Sequence, residues 1–373
     1  MDRGAVHAWL HPIGIQIDGC RPFDVRVLDQ AFYKRASTFR AVDILDAFVD
    51  GLWDTDRLDI VVERVYRHGL ELYEGSRIGL FLNTLRARAA NLQNAWRSRR
   101  SISRHYDLGN DLFRTMLDAR MVYSCALWHH TENLDAAQEA KLALVCGKLG
   151  LERGQRVLDI GCGWGSFCKF AAEEHQVASV GVSNSINQLT LGREMCAGLP
   201  IELRHLDYRA LRGETFDAVI SIGMFEHVGY KNYRTFMKIL RGCLSDDGLA
   251  LLHTIGSSRS ETTGHLWMGK HIFPGAMLPS LKQIAQAAEG LFVVEDVQNI
   301  GSHYDKTLMA WYQNFDQGWG GLRKTYGDRF HRLWKCYLMT CAGLFRARGA
   351  QVYQLLLSPS GIPHPGFVRR GAP

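Results

Sequence analysis

Short apolar runs alternate with helical or polar segments from about residue 135 to residue 256. Five runs have strand length, and they read RVLDIG, VASVGVS, IELRHLD, FDAVISIG and LALLHTIG. Before them, AAQEAKLALVCGKLG has the spacing of an amphipathic helix that ends at Gly150. Repeated strand–helix units predict a parallel sheet covered by helices. Ligands of such sheets bind outside the carboxyl ends of the strands, so we expect the chemistry there.

The first 70 or so residues follow a different pattern. A short extended piece, IGIQIDG, precedes two helix-like stretches, AVDILDAFVDGLW and DRLDIVVERVYRHGL, and no catalytic constellation accompanies them. We therefore predict a small, mainly helical accessory domain over residues 1–90 and a catalytic domain over residues 105–373.

An arginine-rich segment separates these two regions. Between Arg77 and Arg104 there are seven arginines and no acidic residue, and apolar side chains recur at helical spacing (Leu82, Leu85, Ala89, Leu92 and Trp96). A basic amphipathic helix favours an anionic surface, either a membrane or a nucleic acid. A solvated helix that links two domains, up to about residue 104, is the compatible alternative.

Composition excludes several classes of protein. With 46% hydrophobic and 22% charged residues, the chain has the composition of a soluble globular protein. Its nine cysteines are odd in number and lack C-x-x-C pairs, which favours a reduced, cytosolic compartment over a disulfide framework or a zinc site. No signal peptide or membrane-length apolar run is apparent, and no metal-ligand spacing is present.

The strongest local motif is VLDIGCGWGS, residues 157–166. An apolar strand leads into Gly161, Gly163 and Gly165, and Asp159 precedes them. The spacing differs from the dinucleotide fingerprint, and no Walker lysine follows. The combination predicts a site for S-adenosylmethionine (SAM), while a tight structural turn is the alternative.

Polar residues follow the next two predicted strands. Ser183 and Asn184, with Gln188 one helical turn onward, stand where many methyltransferases have an acidic residue for the ribose, and uncharged groups can also hydrogen-bond a ribose. Asp207 and Tyr208 follow the third strand and are predicted to accept from the adenine amino group and cover its face. A surface turn is the alternative for that pair.

Three further side chains are predicted to face the ligand side of the sheet. Glu226 follows the fourth strand, His253 lies in the fifth, and Tyr304 precedes an apolar helix. Separately, each has a structural explanation, as a satisfied buried histidine or a core tyrosine. Together they form a candidate catalytic set.

Eight motifs spread over nearly the whole chain give a specific resemblance: HYDLGNDLF, YSCALW, VLDIGCGWG, MFEHVG, LLHTIGS, HIFPGAMLPS, TLMAWY and CAGLFRARG. With them, the chain resembles the cyclopropane-fatty-acyl-phospholipid synthases. The resemblance implies a Rossmann-like class I SAM-dependent methyltransferase fold. It also implies methylene transfer from SAM to the cis double bond of a phospholipid acyl chain, through a carbocation that bound bicarbonate deprotonates.

The same resemblance assigns residues. It implies that Glu226, His253 and Tyr304 hold bicarbonate through their side chains, while Cys125 and Ile255 contribute chiefly backbone contacts. SAM contacts are implied for Tyr123, Ser124, Gly161, Cys162, Gly163, Ser183, Gln188, Asp207 and Tyr208. Cys341 matches a cysteine sometimes regarded as an active-site residue in this family, but the mechanism gives a thiol nucleophile no step, which favours a core role. Tyr304, Trp267 and Phe273 are candidates for stabilising the cation.

The sequence also leads to predictions about binding partners, and it leaves three alternative functions open. The resemblance implies unsaturated phospholipids at the membrane surface, peripheral association with the inner face of the membrane from the cytoplasm, a lipid-binding accessory domain, a possible homodimer and no nucleic acid. The rivals are a lipid methyltransferase that yields a methyl-branched or methylene chain, a small-molecule methyltransferase, and an inactive lipid-binding protein.

Overall fold

The computed structural model of the chain describes residues 3–69 and 108–361. The arginine-rich segment between Arg77 and Arg104 lies outside the described residues. The domain boundary at residue 90, the linker to about residue 104 and the membrane-binding helix therefore stay predictions.

Residues 3–69 form short helices around an apolar centre. The helices are α1 (Arg3–Leu10), α2 (Ala31–Ala36), α3 (Ala41–Val49) and α4 (Leu58–Arg67), and strands β1 (Arg26–Val27) and β2 (Trp53–Asp54) pair antiparallel. Helix α4 buries Leu58, Val61, Val62 and Val65, the i, i+3, i+4, i+7 positions of one face. Both predicted helices exist, although the first ends at Val49 because Trp53 belongs to β2.

A seven-stranded sheet organises residues 108–361. Its strands are β3 (Arg156–Ile160), β4 (Ala178–Ser183), β5 (Ile201–His205), β6 (Phe216–Ile222), β7 (Leu244–Gly256), β8 (Phe292–Asn299) and β9 (Gln351–Pro359). They lie in the order β5-β4-β3-β6-β7-β9-β8. The five strands predicted from the apolar runs are β3 to β7, and they pair in parallel.

The end of the sheet differs from the wholly parallel prediction. Strand β9 enters between β7 and β8 and is antiparallel to both. It is buried along its whole length, so it completes the core rather than capping an edge. The sequence reasoning did not identify β8 or β9, because strand pairing between distant segments leaves no local pattern to read.

Helices cover both faces of this sheet. They are α5 (Asn110–Met116), α6 (Leu134–Leu149), α7 (Ser166–His175), α8 (Ile186–Met195), α9 (Tyr233–Cys243), α10 (Leu266–His271), α11 (Leu281–Ala288), α12 (Tyr304–Tyr326) and α13 (Asp328–Arg346). Alternate residues of β7 separate the two faces, since Leu251 packs with α6 and α7 whereas Leu252 packs with α9 and α11. Gly150, at a φ of 59°, ends α6 as the sequence predicts.

The N-terminal helices are packed directly on the catalytic region. Helix α13 crosses α4 so closely that a Cβ on Gly343 would lie 2.3 Å from the carbonyl oxygen of Asp59. The Arg346 guanidinium donates to Asp59 and, through two nitrogens, to Asp305 at the start of α12. Phe48, Trp53 and Trp334 belong to one continuous hydrophobic core. None of the helices in the described residues has both the length and the apolar composition needed to cross a bilayer.

Candidate active site

The glycine-rich loop joins β3 to α7 at the carboxyl edge of the sheet. Gly161, Gly163 and Gly165 have φ values of 96°, 56° and 79°, which side-chain-bearing residues rarely adopt. A Cβ on Gly161 would lie 2.7 Å from Met224, whereas a Cβ on Gly163 would have only the Gln188 amide, at 3.7 Å, within 4 Å among the described residues. The loop is therefore constrained at its base and open at Gly163, as a ligand that approaches the backbone requires.

The loop over residues 121–127 forms the opposite wall. Gln138 and Lys141, on the inward face of α6, reach it: the Gln138 amide donates to the carbonyls of Val122 and Ser124, and Lys141 Nζ donates to Ser124 Oγ at 2.8 Å. Ser166 Oγ, at the start of α7, donates to the carbonyl of Met121. Tyr123 and Ser124 are consequently held against the glycine loop.

One cavity lies between these walls, and it collects most of the predicted SAM contacts. Its lining includes eight of the nine: Tyr123, Ser124, Gly161, Cys162, Gly163, Ser183, Gln188 and Tyr208. Their role as SAM contacts stays a prediction, but the tertiary structure brings them to one place from five segments of the chain.

Asp207 is the exception. Its carboxylate is buried behind the lining, where it accepts from the backbone N–H and guanidinium of Arg209 and from the Asn184 amide. Its neighbours Leu206 and Tyr208 line the cavity instead. Asp207 therefore shapes this end of the cavity from behind.

Two buried charged groups also line the cavity. Burial lowers the pKa of Lys141 to about 8 and raises the pKa of Asp159 to about 7. Asp159 Oδ1 has no hydrogen-bond partner among the described residues. His227 also lines the cavity, and burial lowers its pKa to about 4, so it is neutral at pH 7.

Glu226 occupies a short 3-10 turn after β6. Its side chain is 5% exposed, and Oε1 accepts from the backbone N–H of Ile255 at 2.5 Å. Oε2 is buried with no partner among the described residues, an arrangement that a native protein seldom leaves unused. Burial raises the pKa of the carboxyl to about 7.

His253 lies two residues before Ile255 in β7. It is buried, and its Nδ1 lies 3.3 Å from the side-chain amide nitrogen of Gln354, on β9. Burial, reinforced by Lys141 and Lys148, lowers the pKa of His253 well below its ordinary value. A neutral ring that accepts from Gln354 at Nδ1 carries its proton on Nε2 and can donate there.

Tyr304 lies close to both Cys125 and Glu226. The Tyr304 ring packs on Phe345 and Trp311, and its hydroxyl makes no hydrogen bond within the described residues. Burial raises the pKa of Tyr304, and Cys125 and Glu226 are close enough to raise it further. The backbone N–H of Cys125 is likewise unused in the described part of the chain, although Ala126 N–H donates to Thr307.

Neither predicted thiol is activated. Burial raises the pKa of Cys125 well above its ordinary value, and the Cys125 sulfur lies 3.3 Å from the carbonyl oxygen of Ala126. Burial also raises the pKa of Cys341, on α13, to about 12. Reactive cysteines have depressed pKa values, so both are neutral thiols here.

Of the three aromatic candidates, Trp267 has another role. It is fully buried and donates from Nε1 to Asp46 of α3, so it lies at the junction with the N-terminal helices. Phe273 packs edge-on against both His227 and Tyr337, close to the site.

Sequence reasoning missed several residues of this site. Gln138, Lys141 and Gln354 were not identified, and the first two had a readable signal. They occupy the face of α6 that also carries Leu142 and Val145, where polar residues are unexpected unless they have a partner.

Comparison with known proteins agrees with this geometry. A family model described as mycolic acid cyclopropane synthetase matches residues 65–355. The chain is 44% identical over 345 residues to the cyclopropane-fatty-acyl-phospholipid synthase of Escherichia coli (strain K12), covering 92% of this chain and 90% of that protein. It is 36% identical over 269 residues to the probable fatty acid methyltransferase of Pseudomonas putida, covering 69% and 68% of the two chains.

A solved structure extends the agreement to three dimensions. The mycolic acid cyclopropane synthase CmaA1, complexed with SAH and CTAB, superposes with a TM-score of 0.64 at 32% identity over 69% of this chain and 97% of that chain. The resemblance and the methyltransferase fold predicted from the sequence are confirmed. The chain belongs to the mycolic acid cyclopropane synthetase family and is a SAM-dependent methyltransferase that acts in lipid modification.

Proposed function

We propose that this enzyme transfers a methylene group from SAM to the cis double bond of an unsaturated phospholipid acyl chain, forming a cyclopropane ring. The name of the Escherichia coli relative supports this substrate class. The observation that carries the proposal is a set of neighbouring polar groups that make no hydrogen bond within the described residues: Glu226 Oε2, the Cys125 N–H and the Tyr304 hydroxyl.

The chemistry has two steps. The alkene attacks the sulfonium methyl of SAM, which leaves S-adenosylhomocysteine and a carbocation on the acyl chain. Loss of a proton from the new methyl group then closes the ring, so the net change is one added CH₂ and one released proton. An isolated double bond is a poor nucleophile, and close placement in a site that excludes water is the main contribution of the protein.

The second step needs a base, and the unused groups suit bicarbonate. When bound, bicarbonate supplies a basic oxygen beside the cation. The Cys125 N–H, the Tyr304 O–H and His253 Nε2–H would donate to its oxygens, and Glu226 Oε2 would accept from its hydroxyl. Because burial raises the pKa of Glu226 to about 7, the carboxyl can also be neutral beside an anion.

Ile255 has a different part in this proposal. Its backbone N–H already donates to Glu226 Oε1, which fixes the direction of the carboxylate. We therefore assign Ile255 to the orientation of Glu226 rather than to a direct bond with bicarbonate.

The decisive experiment incubates the enzyme with SAM and unsaturated phospholipid vesicles, with and without bicarbonate, followed by acyl-chain analysis. We expect cyclopropane product whose rate rises with bicarbonate, and a large loss for Glu226→Ala. Product formation that is unchanged by exhaustive bicarbonate removal contradicts the bicarbonate assignment. Absence of a cyclopropane product contradicts the proposed function.

A second candidate is a lipid methyltransferase that yields a methyl-branched or methylene chain, since the name of the Pseudomonas putida relative, a probable fatty acid methyltransferase, specifies no cyclopropane product. A methylene product has the same mass as the cyclopropane product but keeps a double bond. Ozonolysis followed by mass spectrometry therefore separates them, because only the methylene product is cleaved.

We also propose that the enzyme works at the cytoplasmic membrane surface and as a homodimer. Anionic headgroups attract arginines by about 1 kcal/mol each near the surface. Charge reversal at Arg97, Arg99 and Arg100, outside the described residues, should abolish salt-sensitive binding to anionic vesicles. Unchanged binding contradicts this role, and light scattering of the free enzyme tests the dimer.

A further inference from the structure

Lys141 is a buried ammonium group that the proposed reaction does not use. It projects from α6, its relative exposure is 0%, and it lines the cavity assigned to SAM. Taking an ammonium group out of water is costly, so buried lysines are nearly always paired with a carboxylate or another anion.

Within the described residues, Lys141 forms no ion pair. Its one hydrogen bond goes to Ser124 Oγ at 2.8 Å, and an ammonium group has three N–H donors. The two nearest carboxylates, Asp118 and Asp159, do not accept from the remaining N–H groups of Lys141. Asp118 accepts from the backbone N–H groups of Arg120 and Val122, and Asp159 lies within electrostatic range without forming a salt bridge.

Lys148 provides a comparison on the same helix. It is also buried, but its Nζ lies 3.0 Å from a carboxylate oxygen of Asp296, on β8, and it does not line the cavity. Lys148, which lies away from the cavity, is thus paired with a carboxylate of the same chain. Lys141, which faces the cavity, has no such partner within the described residues.

The cavity therefore presents one buried ammonium group and one buried carboxyl group, each with hydrogen-bonding capacity that no described residue takes up. Lys141 and Ser124 form one side, and Asp159, with Oδ1 unpartnered, forms the other beside the glycine loop. A zwitterionic amino acid group matches this arrangement, and SAM carries one at the end of its methionyl chain.

We infer that Lys141 binds the α-carboxylate of the methionyl group of SAM, together with Ser124 Oγ. A carboxylate there supplies the missing partner for the buried ammonium, and the charge-assisted bond fixes the end of the chain that carries the sulfonium. This inference rests on the proposed SAM cavity but not on the acyl substrate, the product or bicarbonate.

The test compares ligands that differ only in the amino acid end. Calorimetry of the full chain measures S-adenosylhomocysteine, its decarboxylated analogue and 5′-methylthioadenosine, which lacks the whole amino acid group. For Lys141→Met we expect about 10- to 100-fold weaker S-adenosylhomocysteine binding, the range for a hydrogen bond to a charged group. Binding of methylthioadenosine should change less than about twofold.

Lys148→Met is the matched control, because it removes a buried lysine from the same helix but not from the cavity. It should leave the ratio of the affinities for S-adenosylhomocysteine and methylthioadenosine unchanged. A merely structural role for Lys141 weakens both ligands equally and overturns the inference, as does unchanged S-adenosylhomocysteine binding.

The unaltered enzyme keeps the inference testable if Lys141→Met fails to fold. Loss of the carboxylate alone should weaken binding by the same 10- to 100-fold factor. Equal affinity for S-adenosylhomocysteine and its decarboxylated analogue overturns the assignment. If the unaltered enzyme binds none of the three ligands, the assignment of the cavity to SAM is wrong, and the inference fails with it. A lipid product other than cyclopropane contradicts the proposed function but not the role of Lys141.

Discussion

At the scale of the residue, Cys125 illustrates how a side chain can be dispensable while its position is not. Its thiol is buried and neutral, and only its backbone N–H is available to an anion. We predict that Cys125→Ser retains cyclopropane formation within about tenfold of the unaltered enzyme, because the backbone is preserved and the loss is limited to altered packing. Product analysis with SAM and unsaturated vesicles measures this.

Glu226→Ala is the comparison for that experiment, since it removes the side chain that orients the proposed anion. It should reduce product formation far more than Cys125→Ser does. Complete inactivity of the serine variant in a folded protein would return the thiol to the centre of the reaction.

Glu226 also gives a pH prediction for stability. Its pKa rises from 4.5 in the unfolded chain to about 7 in the folded protein, because burial disfavours the charged form. Between these values the folded state holds a proton that the unfolded state has lost, so this group lowers the free energy of unfolding as pH rises, up to about 7. Glu226→Gln lacks this titration and should gain stability, relative to the unaltered enzyme, on the order of 3 kcal/mol between about pH 4.5 and about pH 8.

Urea unfolding at the two pH values measures this difference. Glu132→Gln is the control, because that side chain is 89% exposed and its exchange should change stability similarly at both values. A Glu226→Gln difference that does not depend on pH would show that burial does not hold the proton.

At the scale of the element, the crossing of α13 over α4 depends on Gly343. A Cβ there would lie 2.3 Å from the Asp59 carbonyl and 2.9 Å from Val62 Cβ, and backbone cannot move aside as a flexible side chain can. Gly343→Ala should therefore destabilise the protein by about 1–3 kcal/mol, although alanine is the better helix former. Thermal or urea unfolding of the variant checks the sign.

Gly320→Ala is the matched control on α12, since no atom of the described part of the chain lies within 4 Å of the added Cβ. That change should be neutral or stabilising by up to about 1 kcal/mol, because it restricts the unfolded chain and favours the helix. Similar changes in stability for Gly343→Ala and Gly320→Ala would mean that α13 and α4 can move apart at little cost, which contradicts the prediction.

At the scale of the whole molecule, Asp46 connects the N-terminal helices to the active site. Its Oδ1 accepts from Trp267 Nε1 at 3.0 Å and from His271 Nε2 at 2.8 Å, and Lys270 donates to Oδ2. The chain then continues to Met277, whose N–H donates to the Glu226 carbonyl at 3.0 Å. The segment that supports Glu226 is thus held at its start by α3.

We predict that Asp46→Ala lowers the rate of cyclopropane formation by about tenfold, as expected when three donors lose a partly buried carboxylate. Affinity for S-adenosylhomocysteine should stay within about twofold, because Asp46 does not line that cavity. Asp56→Ala is the control, since Asp56 pairs with Arg26 at the surface of the same region. A matching loss of cofactor affinity would mean that Asp46 acts through the fold as a whole.

Residues that act through a local motif were predictable. The glycines after β3, the strands β3 to β7 and the end of α6 follow from periodicity and turn chemistry, which are properties of a few neighbouring residues. Glu226, His253 and Tyr304 were expected on the ligand side of the sheet from their places in the predicted elements, but only the family resemblance gave them a common ligand. Gln354, which fixes the His253 ring, comes from a strand that the local pattern did not reveal.

By itself, the sequence determined that the chain builds a strand–helix sheet with a glycine loop for SAM, and that its motifs are those of one lipid-modifying family. Only the tertiary structure decided the antiparallel place of β9 and, within the described residues, the burial of Lys141 without an ion-paired carboxylate and of a Glu226 oxygen without a hydrogen-bond partner. The reason is physical: backbone turns and periodicity depend on near neighbours, whereas burial, pKa and hydrogen-bond satisfaction depend on what distant segments bring to the same point.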